Sequence, residues 1–255
     1  MCFSALIRAD IENLEKEYGA EAVKDIKTHI YTTSITDPAK IFRNHLAPII
    51  YIKDGKRVIE NMRYSVYQPS HVRSAREIEP YNARRDKLHS AFWSESFGIH
   101  HGIIALVGFS EWVNVRGLVE NGFITLEEAK EEFQRLADIR KAKILGQGKK
   151  WKPTAKEKEE AITRKIIINF IPKDQSTFTA PVIFCDHPEK GKGFALITDR
   201  PTEQVRRAGH HRSPVCLTSD GIDQWLKPQS KNIRDLDKIL DLRKINEFRC
   251  TLKAA

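Results

Sequence analysis

The chain has 255 residues, enough for one large domain or two small ones, each with a substantial core. At 40% hydrophobic and 30% charged it reads as globular rather than disordered. No apolar run nears the roughly 18 residues of a membrane span, and the N-terminus lacks a secretory pattern. A net charge of +9 points to a polyanionic partner, and four widely spaced cysteines without a CxxC argue against both a disulfide framework and a four-cysteine zinc site.

In chain order, MC comes first. If Met1 is trimmed, Cys2 becomes the terminal residue and carries a free α-amine and a thiol on one framework, a pair that no internal residue offers. The plain alternative is an ordinary buried cysteine near a chain end. DIENLEKEYG predicts a short amphipathic helix, capped by Asp10, with Leu14 and Tyr18 on one face and Gly19 as its stop. NMRYSVYQP alternates Met62, Tyr64 and Val66 and ends at Pro69, as a half-buried strand would. GIIALVGFSEW predicts a buried strand that delivers Ser110, Glu111 and Trp112 to its end. Thr125 and Glu128 form a capping box ahead of a helix with Leu126, Ala129, Phe133, Leu136 and Ala137 at helical spacing. From about 140 to 165 the lysine-dense run containing GQGKKWKP reads as a flexible basic insertion, more a solvated surface than a dedicated DNA contact.

KIIINFIP, APVIFC and KGFALITD restore the strand signal. PTEQVRRAG predicts a short helix ending at Gly209, and DGIDQWL another turn of helix after Asp220. Strands dominate without regular βα alternation or internal repeats, so the fold class is α+β.

Three stretches place reactive groups at strand ends or turns: YNARRD, GFSEW and GHHRSPV. By pattern alone, Asn82 caps a turn and Arg84 and Arg85 are solvated. Glu111 beside Trp112 suits proton transfer if partial burial raises its pKa, or else a surface ion pair. His210 and His211 either relay protons near neutral pH or cap a helix C-terminus. A zinc set from Cys185, His187 and His210 or His211 has a poor spacing, and no phosphate-binding loop stands out, so no metal or cofactor is expected.

Together, MC at the start, NAR, GFSEW, HHRSP and a following WL resemble the SRAP family (SOS response-associated peptidase). Its pattern runs from an MC start through NAR-x-E-T and GFYEW to H-x-R-M-P in this order. The resemblance extends from Cys2 to about Leu226. It implies a single domain over 1–255 with a largely antiparallel, barrel-like β core and flanking helices, a basic insertion at about 113–165 and a C-terminal extension at about 229–255. It also implies that Cys2, Asn82, Glu111 and His210 are catalytic. The chain departs from the pattern at Ser4 (usually Arg), Asp86 (Glu), Ser110 (Tyr) and Ser213 (Met), and QPSHV lacks the usual tryptophans.

The chemistry so implied suits Cys2. An α-amine with pKa near 7.7–8.0 holds far more free base at neutral pH than a lysine near 10.4, so it forms an imine with the aldehyde of an opened abasic sugar. The adjacent thiol then closes a five-membered thiazolidine at high effective molarity. Glu111 and His210 would move the protons, and Asn82 would orient the terminal residue or the sugar hydroxyls. Arg84, Arg85 and Arg212 would meet DNA phosphates, and Trp112 would stack on a base or pack the site from behind. The expected protein is a cytoplasmic monomer (nucleoid-associated if bacterial). It would crosslink to abasic single-stranded DNA, with AP-lyase activity as a further option, and would expose Cys2 by self-processing. A non-catalytic single-strand binder and a cysteine peptidase acting on proteins are the alternatives.

Overall fold

The computed structural model describes residues 4–23, 26, 39–72, 78–174 and 176–252. Strand β1 (Ser4–Ile7) is buried along its whole length and leads into α1 (Ile11–Tyr18). As the sequence predicts, the Asp10 side chain accepts from the Asn13 amide at 3.2 Å, and Gly19 closes the helix at φ 58°, where a side chain would be strained. After β2 (Glu21–Ala22) and β3 (Ala39–Ile41), β4 (Leu46–Lys53) and β5 (Lys56–Tyr64) form a hairpin. Its two-residue turn, Asp54-Gly55, has both φ values positive, matching the twist of the flanking strands. Then come β6 (Asn82–Arg84), the long β7 (His101–Asn114), α2 (Val115–Glu120) and α3 (Leu126–Gly146). The rest is β8 (Lys165–Pro172), β9 (Phe178–His187), β10 (Gly191–Asp199), α4 (Glu203–Arg207), β11 (Ser213–Pro214), α5 (Ser219–Leu226), α6 (Ile233–Ile239) and β12 (Phe248–Thr251).

Two expectations need correction. The run from 140 is not a loop from its start, because α3, opened by the Thr125–Glu128 capping box, continues to Gly146. The Arg140 guanidinium then holds the returning chain through Glu157 (Nε to Oε1, 2.8 Å) and the Lys152 carbonyl (2.9 Å). Lysines on a solvated helix face look like a loop in composition, which hid this helix. The second correction concerns β7, which does not end at Trp112. It runs on to Asn114 against β8, so Ser110, Glu111 and Trp112 lie inside a strand.

The architecture is mixed α+β, with the strands joined in one sheet. Five strands close a barrel-like ring: β7 pairs with β9, β9 with β10, β10 with β5, β5 with β4, and β4 with β7. Only the β10–β5 pairing within this ring is parallel. There the backbones nearly touch: a Cβ at Gly193 would sit 2.2 Å from the Ser65 carbonyl oxygen, so glycine is required. Ile104 and Leu106 of β7 join one buried cluster with Tyr64, Phe184 and Phe194, while Ile103 and Ala105 join another under α1, α5 and α6. Both faces are covered, and this explains the unbroken apolar run in the sequence.

A bulge interrupts this alternation. Across from β1, Leu6 pairs with Gly108 but Ile7 pairs with Leu106, leaving Val107 as the extra residue. Beyond it, Phe109, Glu111 and Val113 take the face that Ile104 and Leu106 occupy before it, because Phe109 and Val113 join the same cluster. The bulge therefore turns Glu111 inward and Trp112 outward.

Candidate active site

Glu111 is 1% exposed, and a carboxyl so buried needs a polar partner. His210 supplies one. It follows α4, whose chain reverses at Gly209 (φ 91°), and its amide bonds back to the Val205 carbonyl at 3.1 Å. This turn delivers the imidazole to Glu111, with Nε2 3.1 Å from Oε2. The other ring nitrogen, Nδ1, lies 2.8 Å from the Arg212 carbonyl oxygen, a pure acceptor, so Nδ1 carries a hydrogen. Nε2 and Oε2 can then bond only through one shared proton. Burial pushes the His210 imidazole down to about 4, opposed by the Arg212 carbonyl. Desolvation thus keeps the imidazole neutral near pH 7, as a proton acceptor beside the buried carboxyl.

A second cluster adjoins the first through the short HHR segment. Arg212 is 9% exposed and donates from Nη2 to Asp86 Oδ1 at 3.0 Å. Its Nη1 is buried with no hydrogen-bond partner among the described residues. Arg84 grips the same carboxylate with Nε (3.1 Å) and Nη2 (2.6 Å). Hydrogen bonding from Arg84, with the nearby Arg212 charge, holds the Asp86 carboxyl well below the usual range. Two guanidiniums on one carboxylate leave a net positive charge, and Arg84 and exposed His211 stand at its surface. Desolvation, with the Arg212 and Arg84 charges adding to it, keeps the His211 imidazole below its ordinary value. Asn82 precedes Arg84 by two on β6 and so shares its face. It is buried and accepts from the Tyr64 hydroxyl at 3.3 Å.

The structure thus brings Glu111, His210, Arg212 and Arg84 into one connected chain through Asp86, with Asn82 on the strand that holds Arg84. It does not bring in the other two candidates. Arg85 points to the opposite side of the β6 turn, where Asp237, Asp241 and Asp199 bind its guanidinium. Trp112 is 46% exposed on the outer face of β7, in a groove shared with Leu136 of α3 and Lys165. Cys2 lies outside the described residues. Cys185 and His187 sit on β9, and among the described residues no three His, Cys, Asp or Glu side chains form a metal-ligand set.

Sequence reasoning gave no role to Tyr64 and treated Asp86 only as a departure from the family pattern. The alternation of NMRYSV flagged Tyr64 as inward-facing, but nothing in the sequence linked it to Asn82. Ser4 and Ser110, noted as separate departures, prove to be register partners. Both are fully buried, and Ser110 Oγ donates to Asn169 Oδ1 on β8 at 2.6 Å.

Comparison with known proteins gives the family and the fold. The family model for SOS response associated peptidase (SRAP) matches residues 1–252. Similar folds occur in a protein from Bacteroides thetaiotaomicron (17% identity, 94% of this chain and 86% of that one, TM-score 0.59). They occur also in a protein from Bordetella bronchiseptica (14%, 94% and 93%, TM-score 0.57). A phage-related protein from the same organism is a third (11%, 99% and 94%, TM-score 0.59). A search of curated proteins gives no match. No helix among the described residues is long and apolar enough to cross a membrane. With a family match over essentially its whole length and the buried Glu–His pair of its motifs in contact, the chain belongs to the SRAP family.

Proposed function

We propose that this DNA-damage-associated SRAP protein captures abasic sites in single-stranded DNA through its N-terminal cysteine. The α-amine of Cys2 condenses with the sugar aldehyde, releasing one water and forming an imine. The thiol then adds to the imine carbon, its proton passes to nitrogen, and a thiazolidine closes. The observation that carries this reading is the buried Glu111–His210 contact, set beside the positive Arg84–Asp86–Arg212 cluster. Loss of water from the carbinolamine needs a proton donor, and opening of the sugar needs a proton acceptor. One coupled pair can serve as both.

Three further observations support it. Ser4 pairs with Ser110, next to Glu111, so β1 begins beside the site. The described thiols are poor nucleophiles: burial pushes Cys216 and Cys250 up to about 12 and raises Cys185 as well. The partly unpaired Arg212 guanidinium and Arg84 offer forks to backbone phosphates. On this reading Met1 is removed, by self-processing at the same site, and one domain acts as a monomer.

Intact mass after incubation with an abasic single strand tests the proposal. The expected species weighs the Met1-free protein plus the DNA minus one water. In Cys2→Ala the amine survives, so borohydride traps an imine, but the untrapped adduct is lost on heating. Heat stability equal to the parent's, or a parent that reacts with Met1 retained, overturns the mechanism.

A further inference from the structure

Arg84 and Arg85 are consecutive, yet their surroundings are opposite. Arg84 is exposed and shares Asp86 with Arg212. The Arg85 side chain is 13% exposed and makes a dense set of bonds. Its Nε donates to Asp237 Oδ1 at 2.9 Å, and its Nη2 to Asp237 Oδ2 and to the Asp237 carbonyl, both at 2.8 Å. Its Nη1 donates to Asp241 Oδ1 at 2.6 Å and to Asp199 Oδ2 at 3.3 Å. Asp199 accepts also from Arg243 at 2.9 Å. Three carboxylates against two guanidiniums leave this cage with a formal charge of −1, so it does not attract phosphate.

The cage touches the positive cluster from both ends. Arg85 is the one residue between Arg84 and Asp86, in the tight turn Arg85–Lys87. Asp199 ends β10 and pairs in register with Ser213, the residue after Arg212. Asp237 and Asp241 lie on and just after α6, in the C-terminal stretch. One network therefore fixes the chain next to Arg84 and the chain next to Arg212, and with them the spacing of the two guanidiniums. The Arg84 backbone pairs with Thr198 of β10, but the bonds described for its side chain go to Asp86, two residues away.

We infer that Arg85 is a positioning residue. Held by the C-terminal carboxylates Asp237 and Asp241, it sets the separation of Arg84 and Arg212 so that both can grip phosphates of one DNA strand. This inference rests on the phosphate-binding part of the function proposed above and not on the crosslinking chemistry. It replaces the expectation that Arg85 itself contacts DNA.

A double-mutant cycle on binding of an intact single strand tests it without any crosslinking step. Arg85→Gln should weaken binding about ten-fold at a temperature well below its unfolding midpoint. In an Arg84→Gln/Arg212→Gln background the same change should cost less than about two-fold, because the groups it positions are gone. Arg85→Lys, which cannot reproduce the bidentate fork, should recover only part of the affinity. Should Arg85→Gln fail to fold, Asp237→Asn read in the same two backgrounds serves instead.

A full penalty that persists in the double background would mean a direct phosphate contact. Unchanged binding would mean a brace for stability alone. Either result overturns the inference, as would a parent protein with no affinity for intact single strands. A parent that binds intact strands but forms no abasic adduct would instead sink the proposed chemistry, leaving the cycle to decide on Arg85.

Discussion

The two sides of the β6 turn use the same chemistry for opposite ends. On one side two arginines share one carboxylate, Asp86, and one of them keeps a buried nitrogen without a partner among the described residues. On the other side one arginine is saturated by three carboxylates. An arginine with spare donors is available to a ligand, whereas a saturated one is structural, and the sequence letters are identical. The number of acidic partners decides the role, and those partners come from the far end of the chain.

Variants on each side can break this contrast. The largest effect belongs to the site side. Glu111→Gln removes the shared proton's carboxyl and should slow adduct formation by about 100-fold or more, within the usual range for general acid–base catalysis. Binding of intact DNA should stay within about two-fold; single-turnover kinetics and a binding titration on the same protein separate the two.

Two buried imidazoles sharpen the contrast next. Burial lowers both His210 and His101 to about 4, yet only His210 faces a carboxyl. His101 stacks on Trp225 at 3.8 Å, donates from Nδ1 to the Trp225 carbonyl at 2.9 Å, and accepts the Gly98 amide at Nε2 at 2.9 Å. Protonating Nε2 would break that last bond. In the unfolded chain this histidine titrates near 6.5, so between 6.5 and 4 the unfolded state binds the extra proton. Stability is fully present above 6.5 and falls as pH drops toward 4, by about 3 kcal/mol for this group. Urea titrations across that window should show the loss, and His101→Gln should flatten the slope. An unchanged slope would mean that other groups govern the acid limb.

Arg84→Gln should weaken single-strand binding about five-fold and lower the salt slope by about one, with almost no change in melting temperature, since the side chain is exposed. A large drop in melting temperature would erase the distinction between the two arginines. Smallest of all, Trp112→Ala should leave the adduct rate at saturating DNA within about two-fold, because its ring stands on the other face of β7 from the shared proton. A ten-fold loss would place that ring at the reacting atoms.

Much of this was legible because it is local or ordered along the chain. Asp10 and Gly19 mark their helix, Thr125 and Glu128 mark the next, and the succession of NAR, GFSEW and HHR identifies the family and the pair Glu111–His210. KDGK between β4 and β5 is a local hairpin signal of the same kind. The rest depends on contacts far apart in sequence. The bulge at Val107, which turns Glu111 inward, arises from how β7 meets β1, and GIIALVGFSEW alone carries no mark of it. The fate of Arg85 is set by carboxylates more than a hundred residues away. Likewise Ser4 and Ser110 form one feature only after β1 and β7 are paired.

The ring of strands has an uneven seam strength, and this governs how the molecule breathes. The β4–β5 hairpin is zipped by eight residue pairs, but each neighbour holds it by two: Ile50 and Tyr51 pair with β7, Arg63 and Tyr64 with β10, and Val58 and Ile59 with β2. In amide exchange the hairpin should therefore swing out as one cooperative unit, at a lower opening free energy than the β7–β9 and β9–β10 ladders. Tyr64 sits on one of those seams and holds Asn82 through its hydroxyl. Each opening would break that hydrogen bond, which ties the slow motion of the hairpin to the order of the site.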